Sequence, residues 1–119
     1  MRPNGSMLTS GDVVDLDLGQ PAGREAGFRH PVVVVTAQEI LDESANVIQV
    51  VPLTSRLREF GSEVRVISDS GTGLDADSSA QCQHIRSVSI DRVESVRGNV
   101  GPASLTKIRQ VLGLILDID

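Results

Sequence analysis

At 119 residues, 39% of them hydrophobic, the chain has the length of a single globular domain, able to bury about two-thirds of its unfolded surface without staples. Eleven Lys and Arg against 16 Asp and Glu leave a net charge of −5, the opposite of the balance usual for a nucleic-acid binder. Two Phe and no Trp or Tyr largely exclude base stacking on aromatic platforms, the common route to single-stranded nucleic acid.

Met1–Ser6 precedes a second methionine and reads as an appended or disordered tail, which leaves residues 7–119 as one domain. The N-terminus lacks the apolar core of a signal peptide, and no apolar stretch approaches the roughly 20 residues of a membrane span. Asp12–Leu18 alternates, with Val14, Leu16 and Leu18 on one side and Asp15 and Asp17 on the other, as in a half-buried strand with one wet face. Gly19–Gly27 reads as a flexible loop that faces substrate. Val32–Val35 is a β-branched run typical of a strand covered on both faces. Ala37–Ser44 accommodates a short helical turn. Val47–Leu53 is a third strand, whose Pro52 implies an edge or a bulge.

Arg56–Ser62 is a second polar loop, and Glu63–Ile67 alternates again. Ser68–Ser79, rich in Ser, Asp and Gly, is the loosest part of the chain. Ala80–Val88 reads as one strand, and Asp91–Val96 fits a helical turn or a strand. Its lone cysteine, Cys82, rules out an internal disulfide and points to a reducing, cytoplasmic setting. From Pro102 onward Leu105, Ile108, Leu112 and Ile115 recur at helical spacing, and Val111, Leu114 and Leu116 widen the stripe beyond one core face. Five or so short strands with helix late in the chain favour a small barrel-like sheet over alternating βαβ units.

Two segments carry candidate chemistry. Arg29 precedes the valine run, and its planar five-donor fork matches phosphate oxygens. The apolar run ending at Leu53 is followed by adjacent hydroxyls, Thr54 and Ser55. Arginine and hydroxyls at strand mouths suit a phosphodiester; the same residue types also serve as a surface-loop arginine and a Ser/Thr turn. Neither GxGxxG nor GxxxxGK[ST] occurs, which argues against a nucleotide cofactor. Cys82 and His84 are two ligands at most and do not make a metal site. No GxSxG elbow marks a serine nucleophile, and Asp75 and Asp77 read as loop solvation. A metal-free ribonuclease needs less, because the RNA 2′-hydroxyl is its own nucleophile. The protein must position the phosphate, stabilise added charge and move two protons. Arg29, His30, Thr54, Ser55, Ser78, Gln83 and His84 supply such groups if the fold gathers them.

The order of pieces resembles the MazF/PemK family of toxin ribonucleases. The resemblance rests on Gly11–Asp17, Gly23–Val35, Val51–Ser55, Gly73–Ser78 with Gln83–Val88, and Val96–Val100 leading into the last helix. It implies a mainly β, α+β fold: a small SH3-like, PemK-type barrel with a C-terminal helix, assembled as a homodimer. It implies a type II toxin that cleaves single-stranded RNA at short sequences without metal or cofactor, leaving 2′,3′-cyclic phosphate and 5′-hydroxyl ends. A cognate MazE-like antitoxin would block the groove. Carried over, Arg29 is the phosphate-stabilising catalytic arginine and Thr54 the catalytic hydroxyl. Glu25, His30, Ser55, Ser78, Gln83 and His84 are expected to line the substrate groove. Family members place arginine directly before the proline, whereas here His30 intervenes. Either Arg29 bulges to keep that place or His30 takes it. The alternatives are a CcdB-like, protein-binding toxin on the same barrel and an inactive member that retains only antitoxin binding.

Overall fold

The computed structural model describes residues 8–19, 23 and 29–118. The expected tail and nearly all of the Gly19–Gly27 loop, including Glu25, therefore lie outside the described residues.

Seven strands follow in chain order: β1 (Asp12–Asp17), β2 (Arg29–Val34), β3 (Val47–Thr54), β4 (Glu63–Val66), β5 (Ser78–Gln81), β6 (Arg86–Ser89) and β7 (Val93–Asn99). A four-residue helix α1 (Gln38–Leu41) follows β2, and α2 (Gly101–Leu116) ends the fold. All pairings are antiparallel, in the order β4-β5-β3-β2-β1-β7, with β6 also on β3. The long strand β3 bends the sheet by changing partners: residues 47–50 pair with β6 and residues 53–54 with β5. Pro52, which lacks an N–H, falls in the gap between those two pairings, so β3 is an interior strand and not the edge its proline suggested.

Both faces of β1, β2 and β3 are covered, as the valine run implied. One face carries Val13, Val33, Val51 and Leu53 against Leu105, Ile108 and Leu112 of α2. The other packs Val14, Leu16, Val32, Val34, Ile48 and Val50 with Leu41, Val88 and Ile90. The expected wet face of β1 is narrowed by this arrangement: Asp17 is exposed, but the Asp15 side chain is only 15% exposed and Val13 on the same face is fully buried, as is Asp12 at the start of the strand. Asp12 accepts from the Thr9 N–H and from Asn99 Nδ2, while Asn99 Oδ1 accepts from the Gly101 N–H at the start of α2. One clamp thus fixes where β1, β7 and the helix meet.

Three further expectations are changed or resolved. Ala80–Val88 is not one strand, because a 3₁₀ turn at Cys82–His84 separates β5 from β6. Asp91–Val96 divides between a second 3₁₀ turn, Ile90–Arg92, and β7. The stretch from Ser68 is also not loose. Thr72 and Leu74 are buried, Asp77 Oδ1 accepts from the Ser68 N–H, and Ser68 Oγ donates to the Leu74 carbonyl. This loop presses onto β7: a Cβ on Gly98 would run into the Gly71 carbonyl oxygen, and one on Gly73, whose φ is +69°, into that of Arg97.

Candidate active site

A cleft of about 300 Å³ opens where β2 begins and β3 ends. Arg29, His30, Thr54, Ser55, Ser78, Asp75 and Arg97 contribute to its walls. Its placement follows from the sheet. The apolar runs of β2 and β3 are buried, so their polar ends emerge together at one edge.

The β1–β2 ladder runs without interruption from Val13↔Val33 to Asp17↔Arg29, so β2 has no bulge. Arg29 and His30 both sit in regular register, opposite Asp17 and Leu16. His30 is half-buried, and its Nδ1 lies 2.9 Å from the Leu53 carbonyl oxygen. A carbonyl can only accept, so Nδ1 is the donor, and in the Nδ1–H tautomer of the ring Nε2 is the acceptor left over. Arg29, one residue earlier, sits on the rim with its side chain 70% exposed and Nη2 at 2.5 Å from Glu94 Oε1.

Glu94 reaches Arg29 because β7 is irregular. Against β1, the register passes from Ser95 to Val93 opposite consecutive residues, so Glu94 is extra; Arg97 is the extra residue between Val96 and Gly98. Such bulges re-aim side chains. The second one turns Arg97 onto Asp15, with Nε at 3.0 and 3.1 Å from the two carboxylate oxygens. Hydrogen bonding to Asp15 is the main cause of an upward shift in the Arg97 pKa, so this side chain stays cationic.

The hydroxyls differ in what remains free. Thr54 Oγ1 accepts from the Arg56 N–H at 3.1 Å, which leaves its own hydrogen available to a ligand. Ser55 is exposed at the cleft. Ser78 is buried and its Oγ donates to the Ala76 carbonyl, so its hydrogen is already committed.

Gln83 and His84 do not line this cleft. Gln83 Nε2 donates to Glu63 Oε2 at 2.9 Å, and the same oxygen receives Arg58 Nη2 at 2.6 Å. His84 closes the 3₁₀ turn after β5. The expected groove is thus divided: Arg29, His30, Thr54, Ser55 and Ser78 come together, while Gln83 and His84 fall elsewhere. Cys82 points into the core toward the Ala80 and Ile108 carbonyls, and burial raises its thiol pKa to about 11. A thiol so placed is neutral and inert at physiological pH. Among the described residues, no group of His, Cys, Asp and Glu is arranged to hold a metal ion, and no helix is long and apolar enough to cross a membrane.

Glu94 and Arg97 escaped the sequence reading. Their signal was Gly98, since glycine inside a strand marks a bulge or a close backbone approach.

The sequence pattern of PemK-like, MazF-like toxins of type II toxin–antitoxin systems matches residues 9–116. The chain belongs to that family. It is 32% identical over 116 residues to endoribonuclease MazF9 of Mycobacterium tuberculosis, covering 94% of this chain and 98% of that protein. MazF of Deinococcus radiodurans superposes with a TM-score of 0.73 at 27% identity, over 92% of this chain and 96% of the other. A mycobacterial endoribonuclease in complex with its cognate antitoxin shares the fold, with a TM-score of 0.71 at 22% identity over 92% and 94% of the two chains. The PemK/MazF chain described here is therefore a toxin of the type II class, with the mainly β fold and C-terminal helix of its relatives.

Proposed function

We propose that this toxin is a metal-independent endoribonuclease that cleaves single-stranded RNA in the cleft between β2 and β3. The observation that carries the reading is the convergence of Arg29, His30 and Thr54 at one mouth of the sheet. The attacking 2′-hydroxyl gives its proton to His30 Nε2, the acceptor that the Leu53 carbonyl leaves free. As the 2′-oxygen adds to phosphorus, negative charge grows on the non-bridging oxygens. Thr54 Oγ1–H and the Arg29 guanidinium donate to them, with Arg29 exchanging Glu94 for the phosphate. The P–O5′ bond then breaks and the departing 5′-oxygen takes a proton from water, which leaves a 2′,3′-cyclic phosphate and a 5′-hydroxyl.

The substrate reaches the cleft against a net charge of −5, so binding is local and brief rather than driven by long-range attraction. A MazE-like antitoxin is the expected inhibitor of this cleft. The homodimer reading draws on the end of α2 and the residues just after it, where Leu114, Leu116 and Ile118 are 79%, 54% and 62% exposed along an apolar groove of about 700 Å³. A second copy covers that face, since exposed apolar surface of this extent marks an interface. Incubation with a long single-stranded RNA in EDTA, followed by end-group analysis, tests the reading. Cyclic phosphate and 5′-hydroxyl ends are expected. An intact RNA would overturn it and favour a protein-binding toxin.

A further inference from the structure

Arg97 lines the same cleft and has no part in the chemistry above. Its Nε is fixed by Asp15, whose Oδ2 also accepts from Ser95 Oγ at 3.0 Å, so the stem of the side chain has one orientation. The outer edge is held far less firmly. Nη1 lies 3.4 Å from both the Gly73 carbonyl oxygen and Asp75 Oδ2, longer than a well-formed hydrogen bond. Among the described residues Nη2 has no partner. The Asp75 side chain is 94% exposed, so little besides Arg97 keeps it in place.

A strut that only joined β7 to β1 would need Nε and Asp15. It would not require the Nη edge to finish in the cleft opposite an exposed carboxylate. A guanidinium oriented from behind and open in front is a preorganised receptor for an oxyanion. The carboxylate that it holds loosely is itself an oxyanion. RNA presents a phosphate at every nucleotide, so a cleft with an arginine on each wall is suited to gripping two of them.

We infer that Arg97 binds a second backbone phosphate of the RNA, next to the scissile one, and that Asp75 occupies its place in the free toxin. The inference rests on the proposed RNA cleavage in this cleft.

Its test measures KM for single-stranded RNA as a function of salt, in EDTA, on variants verified as folded by thermal unfolding. Asp75→Asn leaves the Arg97–Asp15 pair intact and should lower KM about two- to fivefold, the scale of an exposed ion pair released. Arg97→Gln should raise KM about tenfold, as expected for loss of a charge-assisted hydrogen bond. The slope of log KM against log salt should also fall by about 0.7, the value for one phosphate contact on a single strand. Arg97→Lys retains the charge and should keep the slope while still raising KM. It stands in for Arg97→Gln should the latter not fold. In an Arg97→Gln background Asp75→Asn should have no effect; a full effect there would make Asp75 a bulk charge and overturn the inference. Unchanged KM and slope in Arg97→Gln or Arg97→Lys, with the parent cleaving normally, would overturn it alone. A parent that neither binds nor cleaves RNA would remove the cleavage reading and this inference together.

Discussion

Two arginine–glutamate pairs in this molecule are almost equally short and do opposite things. Arg29–Glu94 at 2.5 Å lies on the cleft rim, with side chains 70% and 40% exposed. Arg58–Glu63 at 2.6 Å lies under the loop after β3, where Glu63 is 1% exposed and Arg58 lies 4.8 Å above the Phe60 ring. Water can replace either partner of the first pair, so breaking it costs little and Arg29 is free to take a phosphate. In the second, solvent reaches Arg58 but not the Glu63 carboxylate. Among the described residues Glu63 Oε1 and Arg58 Nε have no partner, so that pair has no interaction to spare. Distance alone does not tell an exchangeable contact from a structural one. Burial does.

The comparison breaks most sharply at Arg29. Arg29→Lys keeps the charge but loses the fork, and the cleavage rate should fall about 100- to 1,000-fold. His30→Ala, which removes the proton acceptor, should cost about 100-fold, at the low end for general base catalysis. Both are read by single-turnover cleavage in EDTA. If His30→Ala abolishes cleavage while Arg29→Lys leaves it intact, the histidine alone does the work assigned to the pair.

The buried pair should respond in stability instead. Glu63→Gln should lower unfolding free energy by about 2–3 kcal/mol, below the cost for a wholly buried pair because Arg58 is 34% exposed. Denaturant titration measures it, and the folded variant should cleave RNA within about threefold of the parent rate. Gln83→Ala should behave likewise but more weakly, losing about 1–2 kcal/mol with its hydrogen bond to Glu63. A large change in KM for Gln83→Ala would return this residue to the groove. The smallest expected effect is at the rim: Glu94→Gln frees Arg29 and should lower KM about two- to fivefold.

Much of this architecture is legible in the chain. Val32–Val35 has the β-branched run typical of a strand covered on both faces, and the spacing of Leu105, Ile108 and Leu112 marks the buried side of α2. Arg29, His30 and Thr54 stood out because they flank runs that must be buried and because of the family resemblance. That they share one edge follows from the antiparallel β2–β3 pairing, which sets the start of β2 beside the end of β3. Gln83, expected in the groove, lies outside this cleft. Its position depends on a 3₁₀ turn after β5 that interrupts what reads as continuous apolar alternation. Glu94 and Arg97 were missed because a bulge is a property of two strands, and the partner β1 lies about 80 residues away in sequence. The Ser68–Asp77 loop looked loose from its composition, yet its Ser, Thr and Asp side chains bond to its own backbone.

Thr54 tests the central claim most directly, because its hydroxyl hydrogen is free and its loss disturbs little else than the bond from the Arg56 N–H. The measurement is the single-turnover cleavage rate of folded, saturating Thr54→Ala toxin on a long single-stranded RNA in EDTA. A fall of about 100- to 1,000-fold is expected if the hydroxyl donates to the charge growing on the phosphate. A rate within threefold of the parent would contradict the placement of catalysis in this cleft.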